Sequence, residues 1–391
     1  MDPEVDHFSI PALDTTGLPE TMKSGEVDSP KLLLSGGEVL TSRLNPRKSR
    51  VYQIPRVLHR QSVASTEFVA LYPTSIDQIY LCYFLQSEIT RQSLDGMTQS
   101  ATRSHQRVDP LEILNLEVPI NDTNLQRRIA DFLDDRVARI DKIIAARQQQ
   151  RSRNEEILCS LENKLTTIGS GDTRSTCIEW MPEISSEYEL WRVSRAFSTA
   201  SGTTPRSDSS MYYGSGTPWI TTSDLRDKII SLIPHSVTDE SFRDYSALKK
   251  FPSGTLIVAM YGATVGRLGI LESPAATNQA CCAMLPSGPV DVWYAFHWFH
   301  AHRSHIMALA SGGGQPNISQ DLVRSLFISA PNIKKQKEIV DILSEYQEDL
   351  READDALIRQ IDLLQEYKQS LITAAVTGEF DVTTASTRIP E

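Results

Sequence analysis

Residues 116–134 (LEVPINDTNLQRRIADFLD) return 210 positions later as residues 326–344 (LFISAPNIKKQKEIVDILS). At this constant offset Leu116 meets Leu326, Val118 meets Ile328, Gln126 meets Gln336, Ile129 meets Ile339, Asp131 meets Asp341 and Leu133 meets Leu343. In each copy a short extended apolar run leads through a polar turn into a long helical pattern. A repeat of this period implies two similar folded parts. The likeness extends backwards more weakly. Gly37, Val39, Leu40 and Ser42 match Gly254, Leu256, Ile257 and Ala259; residues 65–73 match 278–286; Tyr83-Phe84 matches Trp298-Phe299. These runs carry β-branched and aromatic residues between Gly and Pro, and read as strands.

Both helical patterns keep a heptad. In the first, positions 133, 137, 140, 144, 147, 151, 154, 158, 161, 165 and 168 alternate steps of four and three. Leu133, Val137, Ile140, Ile144, Leu158, Leu161, Leu165 and Ile168 form the apolar seam, with a polar middle at Arg147, Arg151 and Asn154. In the second, Ile339, Leu343, Tyr346, Leu350, Ala353, Leu357, Gln360, Leu364, Tyr367, Leu371 and Ala374 hold the same spacing. A seam kept over about five heptads predicts a coiled coil, against the alternative of two amphipathic helices each lying on its own domain. Neither pattern contains proline, and Gly169 and Gly378 mark the expected stops. Each helix spans about 43 residues, or roughly 60–65 Å.

Residues 125–168 carry nine basic and seven acidic side chains, and residues 334–379 carry six and eleven. Opposite net charge favours pairing of the two helices with each other. The pairing should be antiparallel. The second globular part leaves the end of helix one and must feed the start of helix two, and an antiparallel pair puts those points at one end. The expected fold class is α+β: two similar mixed α/β domains separated by a long antiparallel two-helix coiled coil. The boundaries fall at 1–120, 121–170, 171–332 and 333–382, giving a dumbbell with a rigid spacer.

A length of 391 residues suits two or three domains. No uncharged apolar stretch approaches the ~18–20 residues of a membrane span. The opening MDPEVDHFSIP has neither the basic nor the apolar region of a secretory signal. Cys82, Cys159, Cys177, Cys281 and Cys282 form no CxxC pair. A zinc ribbon and a disulfide framework are therefore not expected, and the cytoplasm is the expected compartment. The net charge of −11 argues against nucleic acid only as an average. Residues 1–38 hold eight acids against Lys23 and Lys31, whereas residues 41–60 hold six basic side chains and no acid.

The most specific marks are Gln126-Arg127-Arg128-Ile129-Ala130 with Phe132-Leu133, and Gln336-Lys337-Glu338-Ile339-Val340 with Leu343. To these are added residues 371–378 (LITAAVTG) followed by Phe380-Asp381, and three segments of the second domain: Gly202-Thr203-Thr204-Pro205, Pro218-Trp219-Ile220-Thr221 and Gly314-Gln315-Pro316-Asn317. Together they resemble the DNA-specificity subunits of type I restriction–modification systems over nearly the whole chain. The resemblance implies tandem target-recognition domains, each followed by a helix of the repeated pair. It implies a non-catalytic subunit that reads a bipartite target in double-stranded DNA and positions two methylation subunits. A restriction subunit (translocase and nuclease) could join as well. No cofactor is implied for this chain; its partners would use S-adenosylmethionine, ATP and Mg²⁺.

One departure stands out. Sixty-three residues separate Trp191 from Gly254, but only 36 precede the matching Gly37. The first domain is therefore expected to lack roughly 27 residues, including anything like the Gly-Thr-Thr-Pro and Pro-Trp-Ile-Thr segments. A missing start or a truncation is favoured over a shorter variant, and a truncated, inactive subunit is an alternative.

Catalytic motifs are not found. The sequence has no GxxxxGK[ST] loop and no GxSxG elbow. Asn45-Pro46-Arg47 lacks the second proline and aromatic of an amino-methyltransferase motif. The run Ser311-Gly312-Gly313-Gly314 reads as a flexible turn rather than an anion cradle. His297, His300, His302 and His305 lie in one aromatic helical stretch, with His297 and His300 able to share a face. No acid or cysteine lies close by in sequence, so a metal site is not expected.

The DNA-contact candidates are residue types suited to phosphates and base edges. In the first domain they are Arg43, Arg47, Lys48, Arg50, Arg56 and Arg60, whose alternative reading is a solvated basic surface or one facing an acidic partner. In the second they are Tyr212, Tyr213, Thr221, Thr222, Lys249, Lys250, Tyr261 and Arg267. The expected mechanism is a ruler whose coiled coil fixes the half-site separation at about 34–36 Å or a multiple. Alone, the chain should bind DNA weakly with a shallow salt slope; tight binding at ~200 mM salt would count against this. The rival readings are a scaffold with two ligand-binding domains, and an enzyme with a composite site, for which matched catalytic residues are missing.

Overall fold

The computed structural model describes residues 2–98, 106–120, 122–310 and 317–384. The Gly-rich run 311–314 and most of the Gly-Gln-Pro-Asn segment lie outside these residues. The chain folds as two compact units: Met1–Gln149 with Ala356–Glu391, and Gln150–Asp355. Each combines a mixed α/β body with a stretch of both long helices.

The first long helix runs Thr123–Asn163, closing in a π-helical turn at Lys164–Ile168; the second runs Ile333–Thr377. Each starts on a polar cap. Asp122 Oδ1 accepts from the Asn124 N–H at 2.9 Å, and Asn332 Oδ1 from the Lys335 N–H at 3.1 Å. Each stops at a glycine with positive φ, Gly169 at 66° and Gly378 at 79°.

The helices pair antiparallel within each unit. In the first, Phe132 meets Phe380 at 5.6 Å between ring centroids, while Asp141 meets Lys368 at 2.6 Å. In the second, Arg151 grips Asp354 with two bonds of 2.7 and 3.0 Å. Such exposed pairs contribute at most about 1 kcal/mol each. The apolar seam stabilises the pairing more, and Leu133, Ile140, Ile144, Leu158, Leu343, Leu357 and Leu371 are buried in it or in the adjoining cores. Val137, Leu161, Leu350 and Leu364 are half-buried.

One column of the second seam differs from the expected register. Ile361 is buried at 7% exposure where Gln360 is exposed, Ala375 is buried beside half-buried Ala374, and Tyr367 is 59% exposed. The inward-facing positions are 357, 361, 364, 371 and 375, so one column lies a residue later than the heptad count put it. This face must cover the first unit's core as well as the facing helix, and Leu371, Ile372, Ala375 and Val376 pack there beside Tyr80 and Phe84.

The strand registers show how the bodies repeat. In the first unit Val39–Ser42 pairs with Phe68–Leu71, Val39 opposite Leu71; in the second Leu256–Ala259 pairs with Cys281–Pro286, Leu256 opposite Met284. Each pair has a hairpin partner on one side, Val51–Gln53 and Leu268–Leu271. A second sheet follows in each. Glu4–Phe8 runs parallel to Gln61–Ser65 with Phe8 opposite Ala64, as Tyr213–Ile220 runs parallel to Ala275–Thr277 with Ile220 opposite Thr277. Lys31–Leu34 and Lys250–Phe251 flank these strands antiparallel.

These registers correct two sequence matches. Phe8 takes the place of Ile220, so Asp6-His7-Phe8-Ser9 is the first unit's counterpart of Pro218-Trp219-Ile220-Thr221, contrary to expectation. Chemical identity was not kept while backbone pairing was. The Ser9 cap of helix Ile10–Thr16 likewise stands where Thr221 caps the short 3₁₀ turn Thr222–Asp224. Tyr80 corresponds to Tyr294, so Tyr83-Phe84 aligns one residue earlier than expected, with His297-Trp298.

The repeated glutamine ties each body to its helix. Gln126 Oε1 accepts from the Asp77 N–H at 2.8 Å, and Gln336 Oε1 from the Asp291 N–H at 2.7 Å. Both aspartates cap a core helix, Gln78–Gln86 and Val292–Ala301. The tyrosine three residues after each cap bonds to the end of a long helix: Tyr80 Oη to the Val376 carbonyl at 2.8 Å, Tyr294 Oη to that of Thr166 at 3.0 Å. Gln336 is fully buried with three bonds. Gln336→Leu leaves those backbone groups unpaired and should cost about 2–4 kcal/mol. Urea unfolding followed by tryptophan fluorescence measures it, because all five tryptophans (Trp180, Trp191, Trp219, Trp293 and Trp298) lie in the second unit.

Candidate nucleic-acid interface

In each unit the central hairpin ends in a tip: residues 43–50 in the first, 260–267 in the second. The tips are built alike. Asn45 (φ 49°) and Gly262 (φ 78°) take the left-handed position the turn needs. The Ser42 N–H donates to the Arg50 carbonyl at 3.0 Å, and the Ala259 N–H to that of Arg267 at 2.9 Å. The Arg43 N–H donates to the Glu67 carbonyl at 2.9 Å, and the Met260 N–H to that of Ala280 at 2.8 Å. Isolated bridges join Leu44 to Arg107 and Tyr261 to Asn317. Arg50 therefore corresponds to Arg267, and Arg107 to Asn317.

The first unit divides its six basic candidates. Arg47 and Lys48 are exposed on the tip. Arg43 is half-buried, and its Nε is buried without a hydrogen-bond partner among the described residues. Arg50 leaves the set. It is 8% exposed and binds Asp14 through two bonds of 2.5 and 2.6 Å, and its guanidinium holds the Asp14 carboxyl below the usual range. Arg56 and Arg60 are exposed at the hairpin's other end, where the Gly37 N–H donates to the Pro55 carbonyl at 3.1 Å. Arg60 lies 3.3 Å from Glu4 and 3.8 Å from Asp6. The tip gains Arg107, which sequence reasoning missed. It grips Glu67 at 2.7 Å and lowers that carboxyl's pKa. The offset of 210 from Asn317, a residue already marked, was the signal for it.

In the second unit the register gathers most candidates at one end. Thr221, Asn278 and Lys249 all leave the second sheet there, because Ile220 faces Thr277 and Lys250 faces Ala276. The turn 278–280 continues to the tip, where Tyr261 and Arg267 are exposed. Lys249 and Lys250 are exposed, and Thr221 and Thr222 half-buried. The Thr221 hydroxyl is engaged by Asp224 at 2.9 Å. Exposed Gln279, which bonds Thr204, was not anticipated. Tyr213 and Tyr212 start the strand at its opposite end and act as struts. Tyr213 Oη donates to the Pro205 carbonyl at 2.7 Å, and Tyr212 Oη to Asp244 at 3.0 Å. The Gly-Thr-Thr-Pro segment is structural at its first residue: a Cβ on Gly202 would lie 1.8 Å from the Thr277 carbonyl oxygen.

The histidine stretch packs against the end of the first long helix, and Arg303 within it reaches the tip, its Nε donating to the Gly266 carbonyl at 3.0 Å. Glu162, fully buried on the first long helix, accepts from His297 Nδ1 at 2.8 Å and His300 Nδ1 at 2.5 Å. The acidic partner that local sequence did not offer thus comes from 135 residues upstream. Burial acts to raise the Glu162 pKa, but the two histidine bonds outweigh it and hold the carboxyl below its usual value. Burial acts to lower that of His300, and Glu162 outweighs it upward. His302 bonds Thr167 at 2.8 Å, and burial pushes its pKa down to about 3. Among the described residues no group of three or more His, Cys, Asp or Glu side chains is placed to hold a metal ion.

Two similar α/β bodies with matched hairpin tips, tied to a pair of long helices, define a class. Residues 187–360 match the type I restriction modification DNA specificity domain. Over those residues the chain is similar to the DNA specificity domain of type I restriction–modification systems. It is 26% identical over 180 residues to the specificity subunit of the type I restriction enzyme EcoR124I/EcoR124II from Escherichia coli, 44% of each chain. The chain thus spans less than half the length of that curated relative. A structure solved for complex assembly and conformational transition of the type I R-M system shares the fold, with a TM-score of 0.69 at 15% identity, covering 97% of this chain and 95% of that one. The HsdS subunit from Thermoanaerobacter tengcongensis aligns over 96% of this chain and 91% of its own, with 16% identity and a TM-score of 0.47. No helix among the described residues is long and apolar enough to cross a membrane.

Proposed function

We propose that this chain is the DNA-reading, non-catalytic subunit of a type I restriction–modification complex. The observation that carries the reading is that both units present the same hairpin tip, with different polar side chains on each. Arg43, Arg47, Lys48 and Arg107 stand on one, Tyr261, Arg267, Gln279 and Asn317 on or beside the other. A common scaffold with variable exposed residues suits two half-sites of unlike sequence. The paired helices serve as the spacer, so a heptad inserted in both should change the unread gap and leave the half-sites. Two methylation subunits supply S-adenosylmethionine chemistry, and a restriction subunit, where present, supplies ATP- and Mg²⁺-dependent cleavage. The complex belongs in the cytoplasm.

A second reading has its own observation. No described residue of the first unit takes the place of Glu189–Arg192 or Phe197–Ser201, which favours reading by the second unit alone. Mapping modified adenines in cells that express the chain with its methylation partner, against cells lacking only this chain, decides. A gapped two-part motif that vanishes with the chain is expected. A one-part motif would assign reading to the second unit alone, and the absence of any chain-dependent motif would reject the proposal.

A further inference from the structure

The tip of the second unit is fastened by a side chain outside the DNA-contact candidates. Gly266 and Leu268 flank Arg267, the exposed arginine of that tip. Arg303, which opens the short helix Arg303–Ala308, ties down both neighbours. Its Nε donates to the Gly266 carbonyl at 3.0 Å, and a terminal guanidinium nitrogen donates to Asp227 Oδ1. The same Oδ1 accepts from the Leu268 N–H at 2.9 Å, and the Asp227 N–H donates to the Leu268 carbonyl at 2.9 Å. One guanidinium thus fixes the backbone on either side of Arg267. The approach is close: Gly266 has φ 78°, and a Cβ there would lie 3.1 Å from Arg303 Cγ. Asp227 takes φ 56°, an uncommon position for an aspartate, with its carboxylate answering two donors.

Arg303 is anchored in its turn. It follows His300 by three residues and His302 by one, and these rings bond Glu162 and Thr167 at the end of the first long helix. Only 22% of the Arg303 side chain is exposed, which suits holding the tip rather than meeting a duplex. The first unit is built otherwise. Glu88 opens the corresponding short helix, and its carboxylate accepts from Gln92 at 2.8 Å and from Arg91 on that helix. There the tip's own arginine, Arg50, is held by Asp14 and buried. Of the two equivalent arginines, the one flanked by backbone tied to Arg303 is the one left exposed.

We propose that Arg303 is a positioning residue for DNA reading by the second unit. It acts through Arg267, by setting where that side chain stands relative to the long helix. The proposal rests on the reading that Arg267 meets DNA. A planar guanidinium bonds a carbonyl and a carboxylate at once in fixed directions, whereas a lysine ammonium on a flexible stem defines neither direction. Arg303→Lys therefore keeps the charge beside Asp227 while loosening the tip, and Arg303→Met removes both bonds.

Hydrogen exchange of the full chain reads the fastening without DNA. In Arg303→Lys the amides of residues 266–268 should exchange roughly tenfold faster while those of residues 256–258 stay unchanged, a pattern that general loss of stability does not produce. Affinity is measured by competition on the assembled complex and its mapped target. Arg303→Met should weaken binding roughly tenfold and Arg303→Lys about threefold, within the worth of one bidentate base contact. On an Arg267→Ala background each should change affinity by less than about 1.5-fold, because the side chain they place is gone. Losses on that background as large as in the unaltered chain would make Arg303 a DNA contact or a general support, and either would overturn the proposal. So would unchanged exchange at residues 266–268, or full affinity in Arg303→Met beside a weakened Arg267→Ala. Full affinity in Arg267→Ala itself would overturn DNA reading through this arginine and the proposal with it, and that single variant tells the two failures apart.

Discussion

Glu162→Ala is expected to lower the stability of the second unit by about 3–5 kcal/mol. The carboxylate is fully buried and answers two imidazoles, so its removal strands both in an apolar setting. Glu162→Gln keeps the volume and can still face one ring as acceptor, and should cost less than half as much. Tryptophan-detected urea unfolding reads both. Equal, small losses would show that the cluster contributes little beyond packing.

The same cluster sets a pH profile. His300 has its folded pKa raised by Glu162, so its contribution is complete below the unfolded value of 6.5 and is lost as pH rises through the raised value. Glu162 has its pKa depressed, so its contribution is present above the ordinary 4.5 and is lost as pH falls through the lowered value. His302 acts oppositely to His300. Its folded pKa of about 3 means that below 6.5 the unfolded chain takes up a proton the fold refuses. Stability should then fall by roughly 1.4 kcal/mol per pH unit from that residue alone. His302→Gln should flatten the slope between pH 6.5 and 4.5, and an unchanged slope would remove His302 as its source.

Tyr261→Ala with Arg267→Ala is expected to abolish recognition of one half-site and spare the other. Removing two side chains that meet bases or phosphates should cost about 2–4 kcal/mol, or roughly 30- to 1000-fold in affinity. Arg56→Ala with Arg60→Ala, at the far end of the first hairpin, should change affinity by less than about threefold. Competition binding of the assembled complex to its mapped target measures both. A larger loss from Arg56 and Arg60 than from Tyr261 and Arg267 would place the reading surface at the wrong end.

Much of the architecture was legible in one dimension. The offset of 210 residues identified two equivalent helix starts, and Gln126 and Gln336 do the same work in each. The four–three spacing located both long helices, and chain connectivity required them to run antiparallel. These features are periodic or local, and the backbone's own geometry expresses them. The cluster of basic residues at 43–50 was visible too, but as a run of residue types and not as a surface.

Tertiary structure alone decided which members of such a run act together. Arg50 was indistinguishable from Arg47 until Asp14, 36 residues away, neutralised and buried it. Glu162 could not be paired with His297 from sequence, because their meeting depends on where the end of one helix packs against another. The seam shifted to Ile361 and away from Gln360 since the helix must satisfy a neighbouring body as well as its partner helix. Asp6-His7-Phe8-Ser9 shares no residue with Pro218-Trp219-Ile220-Thr221, yet occupies the same strand, because pairing is made by backbone groups that every residue except proline carries in full. Periodicity constrains what each segment becomes by itself; the packing of segments distant in sequence sets which side chains are buried, paired or left to meet a ligand.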